Sequence, residues 1–197
     1  MRPSRPALVA AALAAGLLAA PVRAADLRIG APAPDFTLPA AIDGKPLALQ
    51  GLLSKNRGVA VLFIATKCPV SNAYNERMAA LAKAYTAKGI AFVGINSNKA
   101  EPAAETAEHA KKHGFDFFVV KDPGNKVADA YGAQKTPEVF LLDAAGKLIY
   151  HGRIDENQDD ASAVRSPDFR NALDALLAGK PAPVAETKAF GCTIKRV

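Results

Sequence analysis

Apolar residues run without a break at 59–65 (VAVLFIA) and again through 90–96 (IAFVGIN). Continuous runs rich in β-branched residues predict strands buried on both faces. Between them, Met78, Leu81, Ala82 and Tyr85 fall at helical spacing, and Gly89 is a good stop residue. That predicts one helix over 69–88. Residues 102–113 read as a polar helix with a proline at its start and Gly114 after its end. A shorter strand is predicted at 115–120, a turn at Asp122-Pro123-Gly124 and a short helix at 126–131. Thr136-Pro137 leads into a strand at 139–142, which a turn over 143–146 sends back antiparallel through 148–152. The last amphipathic helix, 166–178, ends at Gly179 and Pro181. Upstream, 28–39 is Pro-rich and extended, and Asp43-Gly44 allows a small hairpin. This order predicts an α/β fold: a mixed central sheet, helices on both faces, and an N-terminal β-hairpin extension. Residues 152–167 are expected as an exposed polar loop.

A length of 197 residues suits one domain, and neither a repeat nor a linker divides the chain. The first 24 residues stand apart. Arg2 and Arg5 precede an apolar run at 7–20, then Pro21 and Val22-Arg23-Ala24, with small residues at −3 and −1 of a cleavage site. That is the form of a secretory signal peptide. The expected organisation is a leader at 1–24, a domain at 25–180 and a tail at 181–197 carrying Cys192. The expected location is outside the cytoplasm, in a bacterial periplasm. Without the leader, 22 basic residues face 19 acidic ones, a net charge of +3. The basic residues are interleaved with acids, which argues against a nucleic-acid or membrane-surface role.

The chain has two cysteines, Cys68 and Cys192, and an exported protein lives where disulfides persist. Cys68 follows a buried strand and opens a helix, where unpaired N–H groups and the helix dipole favour an anion. Lys67 adds a positive charge, and Pro69 suits the first helical turn. All of this favours the thiolate, the reactive form. The bland alternative is a buried, inert cysteine. Cys192, after the flexible Gly191, is a resolving thiol for Cys68, a static tail staple, or a thiol that meets another protein.

From Cys68-Pro69-Val70-Ser71 the chain resembles the active-site turn of the thioredoxin superfamily, a strand followed by a helix. The opening GAPAPDFTL at 30–38, with Asp43-Gly44-Lys45, looks like the start of the peroxiredoxin and thiol-specific antioxidant branch. The text from Cys68 to Met78 and the tail from Phe190 to Lys195 resemble the exported, peroxiredoxin-like redoxins of bacteria. The resemblance implies a thioredoxin fold, a cis Pro137, and a Thr136 backbone facing a substrate chain docked at Cys68. It also departs from both parents. Ser71 stands where a thioredoxin has its second cysteine, so the turn cannot resolve a mixed disulfide by itself. Ser71 also stands where a peroxiredoxin has its peroxide-reducing cysteine. Cys68 and Ile64 then occupy the Thr and Pro positions of that branch, and Pro137-Glu138 the place of its Arg.

The reading is an exported thiol–disulfide oxidoreductase of antioxidant type. Cys68, Ser71 and Cys192 carry the chemistry; Lys67, Pro69, Thr136 and Pro137 form the substrate-facing surface. The partner is a thiol- or disulfide-bearing protein or a small thiol. No cofactor and no metal are called for. His109 and His113, with Glu105 a turn earlier, have ligand spacing, but Glu108, Lys111 and Lys112 around them describe a solvated face. His151 with Cys68 and Cys192 would make a soft Cu(I) set, although no spacing motif supports it. Peroxide reduction at Cys68 through a sulfenic acid and a non-catalytic binding module are the alternative readings.

Overall fold

The computed structural model describes residues 27–197; the expected leader and its cleavage site lie outside the described residues. The two unbroken apolar runs become β3 (Gly58–Phe63) and β4 (Ile90–Asn96), every residue of which is buried. They pair in parallel, with Val61 opposite Val93. β5 (Phe118–Lys121) continues the parallel side beyond β4. On the other side, β7 (Glu138–Asp143) runs antiparallel to β3 and β8 (Leu148–Gly152) antiparallel to β7. The sheet order is β5-β4-β3-β7-β8. A separate antiparallel pair, β1 (Thr37–Pro39) and β2 (Pro46–Ala48), is the expected N-terminal hairpin. This mixed sheet between helices is the thioredoxin fold.

Alternation along the strands divides the core in two. Val59, Val61, Phe63, Phe140 and Leu142 face α1 (Leu49–Leu53) and α5 (Lys126–Tyr131). Ala60, Leu62, Phe92, Val139 and Leu141 share the other side with residues of α3 (Asn75–Thr86) and α6 (Asp168–Leu177). Met78, Leu81, Ala82 and Tyr85 are buried there, as their spacing predicts. α4 (Ala103–Lys112) lies against the β5 side. Among the described residues, no helix is long and apolar enough to cross a membrane.

Three local expectations change. The helix predicted over 69–88 is broken into α2 (Pro69–Ala73) and α3 at Tyr74, whose φ of −95° and ψ of −1° lie in the bridge region. Tyr74 N–H donates to the Ser71 carbonyl, tightening the turn as a 3₁₀ link does. The strand predicted at 115–120 starts at Phe118 instead. Phe115 N–H caps α4 by donating to the Ala110 carbonyl, and its ring stacks on Phe117, so both leave the ladder. The polar loop at 152–167 is partly buried, with Asp155 beneath it. Tyr74 Oη donates to Asp155, and Arg77 Nη1 pairs with Asp155 at 2.7 Å. Arg77 also donates to the carbonyls of Asn157 and Gln158. Arg77 therefore brackets this loop against the helix face.

Removing one partner of a buried ion pair strands the other charge. Arg77→Ala should lower the unfolding free energy by about 3 kcal/mol, read from the urea midpoint of the oxidised protein. A change below about 0.5 kcal/mol, the range of ordinary surface substitutions, would show that the bracket contributes nothing.

Candidate active site

β3 ends at Phe63, and the next peptide groups must find partners outside the sheet. Ala65 N–H donates to Ser71 Oγ at 3.2 Å. Thr66 N–H and Lys67 N–H both donate to the buried carboxylate of Glu101, at 2.8 and 3.2 Å. Asn96 Nδ2 donates to the same carboxylate at 2.6 Å. A second acid, Glu105, accepts from the Thr66 hydroxyl and pairs with Lys67 Nζ at 2.9 Å. The Thr66 hydroxyl, followed by Lys67, holds the Glu105 carboxyl below the usual carboxylate range. Two acids from the α4 side thus clamp the turn that presents Cys68.

Cys68 is the N-cap of α2 and has an extended conformation; Pro69 takes the first helical position. Ser71 N–H donates to Cys68 Sγ at 3.3 Å. Thr136 O lies 3.2 Å from the same sulfur, and the Thr136–Pro137 peptide is cis. Lys67, Pro69, Ser71, Thr136 and Pro137 therefore all surround the turn that the sequence singles out. Two of them act otherwise than expected. Ser71 meets the sulfur through its backbone N–H, while its hydroxyl oxygen is taken by Ala65. Lys67 is engaged by Glu105 and by the Ala100 carbonyl, so its charge is balanced locally. The helix behind Cys68 has only five residues, which leaves the nearby N–H groups, not a long dipole, to stabilise a thiolate.

The second sulfur comes from the other end of the chain. Cys68 and Cys192 form a disulfide across 124 positions, with their Cα atoms 5.8 Å apart. Cys192 thus pairs with Cys68 and is not a thiol left free to meet another protein; a resolving thiol and a tail staple would both make this bond. The tail reaches the site as β9 (Cys192–Thr193), antiparallel to β6 (Lys135–Thr136), with Cys192 opposite Thr136. Ile194 follows, 2% exposed, and its N–H donates to the Gln134 carbonyl. With the tail in place, Cys68 is 3% exposed, whereas Cys192 is only half-buried.

Glu138, directly after the cis proline, is buried. Its carboxylate accepts Gln134 N–H and Lys135 N–H, each at 2.7 Å, and meets His151 Nε2 at 2.7 Å. It fixes the loop on which β6 begins. His151 stacks on Phe140, so it is a strand-end histidine held by Glu138 and not a ligand beside the sulfurs. The His109 and His113 rings pack against each other at a tilt, centroids 4.4 Å apart, and burial lowers the pKa of His109. Among the described residues, no group of three or more His, Cys, Asp or Glu is placed to hold a metal ion. Sequence reasoning missed Glu101, Glu138 and the tail strand. The spacing of the two glutamates from Cys68 carries no local signal.

Comparison with known proteins agrees with this geometry. The family model described as Redoxin matches residues 28–173. The thiol-disulfide oxidoreductase ResA of Halalkalibacterium halodurans is 29% identical over 122 residues, covering 62% of this chain and 66% of that protein. This match thus spans just under two thirds of that relative's length. A crystal structure of an uncharacterized conserved protein from Geobacillus kaustophilus superposes with a TM-score of 0.81 at 32% identity, covering 87% of this chain and 93% of that one. A hypothetical protein from Sinorhizobium meliloti 1021 gives a TM-score of 0.80 at 35% identity, covering 86% and 95%.

The Cys68–Cys192 bridge closes a long loop, and longer loops gain most from a cross-link. Cys192→Ser should lower the unfolding free energy by about 2–4 kcal/mol relative to the oxidised protein, measured by denaturant titration without reductant. Equal midpoints would mean that the bridge constrains nothing.

Proposed function

From the premise that this chain belongs to the redoxin family, the peroxiredoxin-like part of the thioredoxin superfamily, we propose that it is a thiol–disulfide oxidoreductase whose redox couple is Cys68 and Cys192. One observation carries the reading: the Cys68–Cys192 disulfide lies at a strand-to-helix turn, beside the Thr136 carbonyl and a cis proline. The name of the Halalkalibacterium halodurans relative supports it.

In the reduced form, Cys68 loses its proton and Ser71 N–H donates to the sulfur anion. The thiolate attacks one sulfur of a partner disulfide. A Cys68–partner bond forms, and the partner's other sulfur leaves as a thiolate that takes up a proton. Cys192, deprotonated in turn, attacks Cys68 Sγ. The Cys68–Cys192 bond forms and the partner's second sulfur leaves. The partner disulfide is reduced by two electrons, and this chain is oxidised to its own disulfide. An external dithiol reverses that oxidation. It enters at Cys192, the more exposed residue, and expels Cys68 as the thiolate that Ser71 N–H receives. Lys67 and Pro69 shape the turn; Thr136 and Pro137 present the edge along which a partner lies. A tethered second sulfur supplies what Ser71 cannot.

Export belongs to the same reading. Residues 1–24 would be removed as a signal peptide, 25–180 form the redoxin domain and 181–197 its tail, and the protein works in an oxidising compartment such as a bacterial periplasm, where the couple needs a dedicated reductant. Peroxide chemistry by the peroxiredoxin route is not part of the proposal. The residue after the cis proline is a buried Glu138, where that branch uses an Arg to polarise peroxide.

Cys68→Ser should abolish reduction of a protein disulfide such as that of insulin. Cys192→Ser should retain the first step and accumulate a Cys68–partner adduct, visible by mass spectrometry. Retention of half the activity by Cys68→Ser would overturn the assignment.

A further inference from the structure

The strand that carries Cys192 occupies the open edge of β6, next to the cis proline. Its side chains alternate as a docked strand requires. Phe190 packs edge-on against Tyr74, with ring centroids 6.3 Å apart. Two positions on, Cys192 meets Cys68. Two further on, Ile194 enters the apolar cluster that holds Val127, Tyr131 and Ala133. Between the first two, Gly191 has φ of +140°, and a Cβ there would collide with the Thr136 carbonyl. Only glycine fits such backbone at such an approach.

This segment is an arch between two anchors. Upstream, Thr187 N–H donates to the His151 carbonyl and His151 N–H to the Ala185 carbonyl. Downstream, Lys195 N–H donates to Asn98 Oδ1 at 2.8 Å and Arg196 Nε pairs with Asp129 at 2.7 Å. Beneath the β6–β9 pair, the Thr136 hydroxyl is buried without a hydrogen-bond partner.

We propose that residues 190–194 are a tethered stand-in for the partner. The edge of β6 then takes an extended segment of a disulfide-bearing protein with glycine directly before its cysteine and apolar side chains two positions to either side. Main-chain pairing to Lys135–Thr136 supplies affinity, and the places of Phe190 and Ile194 supply selectivity. The disulfide keeps the edge closed; the dithiol form lets the arch exchange for the partner. The inference rests on Cys68 being the attacking sulfur.

The test uses the full-length chain as Cys192→Ser, and as Cys192→Ser with Ile194→Asp to unseat the arch. The probe is the peptide AFGCTIK, its cysteine activated as a mixed disulfide with thionitrobenzoate, whose release is followed by absorbance. Control peptides carry alanine for the glycine or aspartate for the isoleucine; activated glutathione is the small-molecule control. The matched peptide should react with Cys68 about tenfold faster than either control peptide, a ratio set by roughly 1.4 kcal/mol of discrimination. Ile194→Asp should raise its rate further. If the double variant is unfolded by circular dichroism, the order of the three peptides with Cys192→Ser alone decides. Equal rates for all three peptides and glutathione would overturn the stand-in while leaving Cys68 a reactive thiol. No reaction with any probe would instead overturn the redox assignment beneath it.

Discussion

A parallel strand that ends in the middle of a sheet leaves peptide N–H groups with nowhere obvious to go. At the end of β3 those of Ala65, Thr66 and Lys67 are answered by Ser71 Oγ and by one carboxylate, Glu101. Peptide groups buried without partners would cost as much as lost hydrogen bonds. The position of Cys68 therefore depends on this arrangement. Glu101 is itself fixed by Asn96, at the end of the neighbouring strand β4. Asn96 accepts from Lys121, whose ammonium burial holds below its ordinary pKa. Lys121 also donates to the Asn98 carbonyl, and Asn98 Oδ1 accepts the Lys195 N–H of the tail. The turn that carries one sulfur and the tail that carries the other are thus tied to the same few polar residues at the ends of β4 and β5.

That shared footing explains how a couple 124 positions apart behaves as a local one. A second sulfur inside the turn, as in Cys-x-x-Cys, needs no help from the rest of the chain. Here Ser71 keeps the turn's shape by accepting Ala65 N–H, and the second sulfur is delivered by a strand. Tethering raises the effective concentration of Cys192 near Cys68 to the millimolar range of short linkers. The anchors at 185–187 and 195–197 keep the free span between them short. Under the proposed mechanism, resolution of a mixed disulfide would depend on strand docking, which a Cys-x-x-Cys turn does not require.

The fold was legible because its strands announce themselves. β3 and β4 are buried on both faces and read as unbroken apolar runs, while β7 and β8 flank a turn with Gly146 at φ of +74°. Cys68, Ser71, Thr136 and Pro137 could be placed from short motifs and their order. What stayed hidden was long-range. Glu101, Glu138 and Arg77 look like any charged residues, because they meet Thr66, His151 and Asp155 at 35, 13 and 78 positions away and no local pattern links them. The tail hid for another reason. β9 has two residues and pairs with a strand of two residues, too short for any periodicity to show. Its length also means that hydrogen bonds alone hold it weakly, and that its register is set by side chains.

Those side chains argue about chemistry as well as fold. A tail evolved only as a staple would need one sulfur and any small neighbours. This one alternates an aromatic, a cysteine and an aliphatic residue into three separate contacts, with a glycine at the one point where the Thr136 carbonyl allows no side chain. The backbone it pairs with is short and otherwise unpaired on that side, since the five-stranded sheet does not include β6. An edge of two peptide groups beside the Cys68 sulfur is a small but directional template, and β9 lies on it in one register. The strand that lies on it here, β9, places its sulfur opposite Thr136, where it meets Cys68.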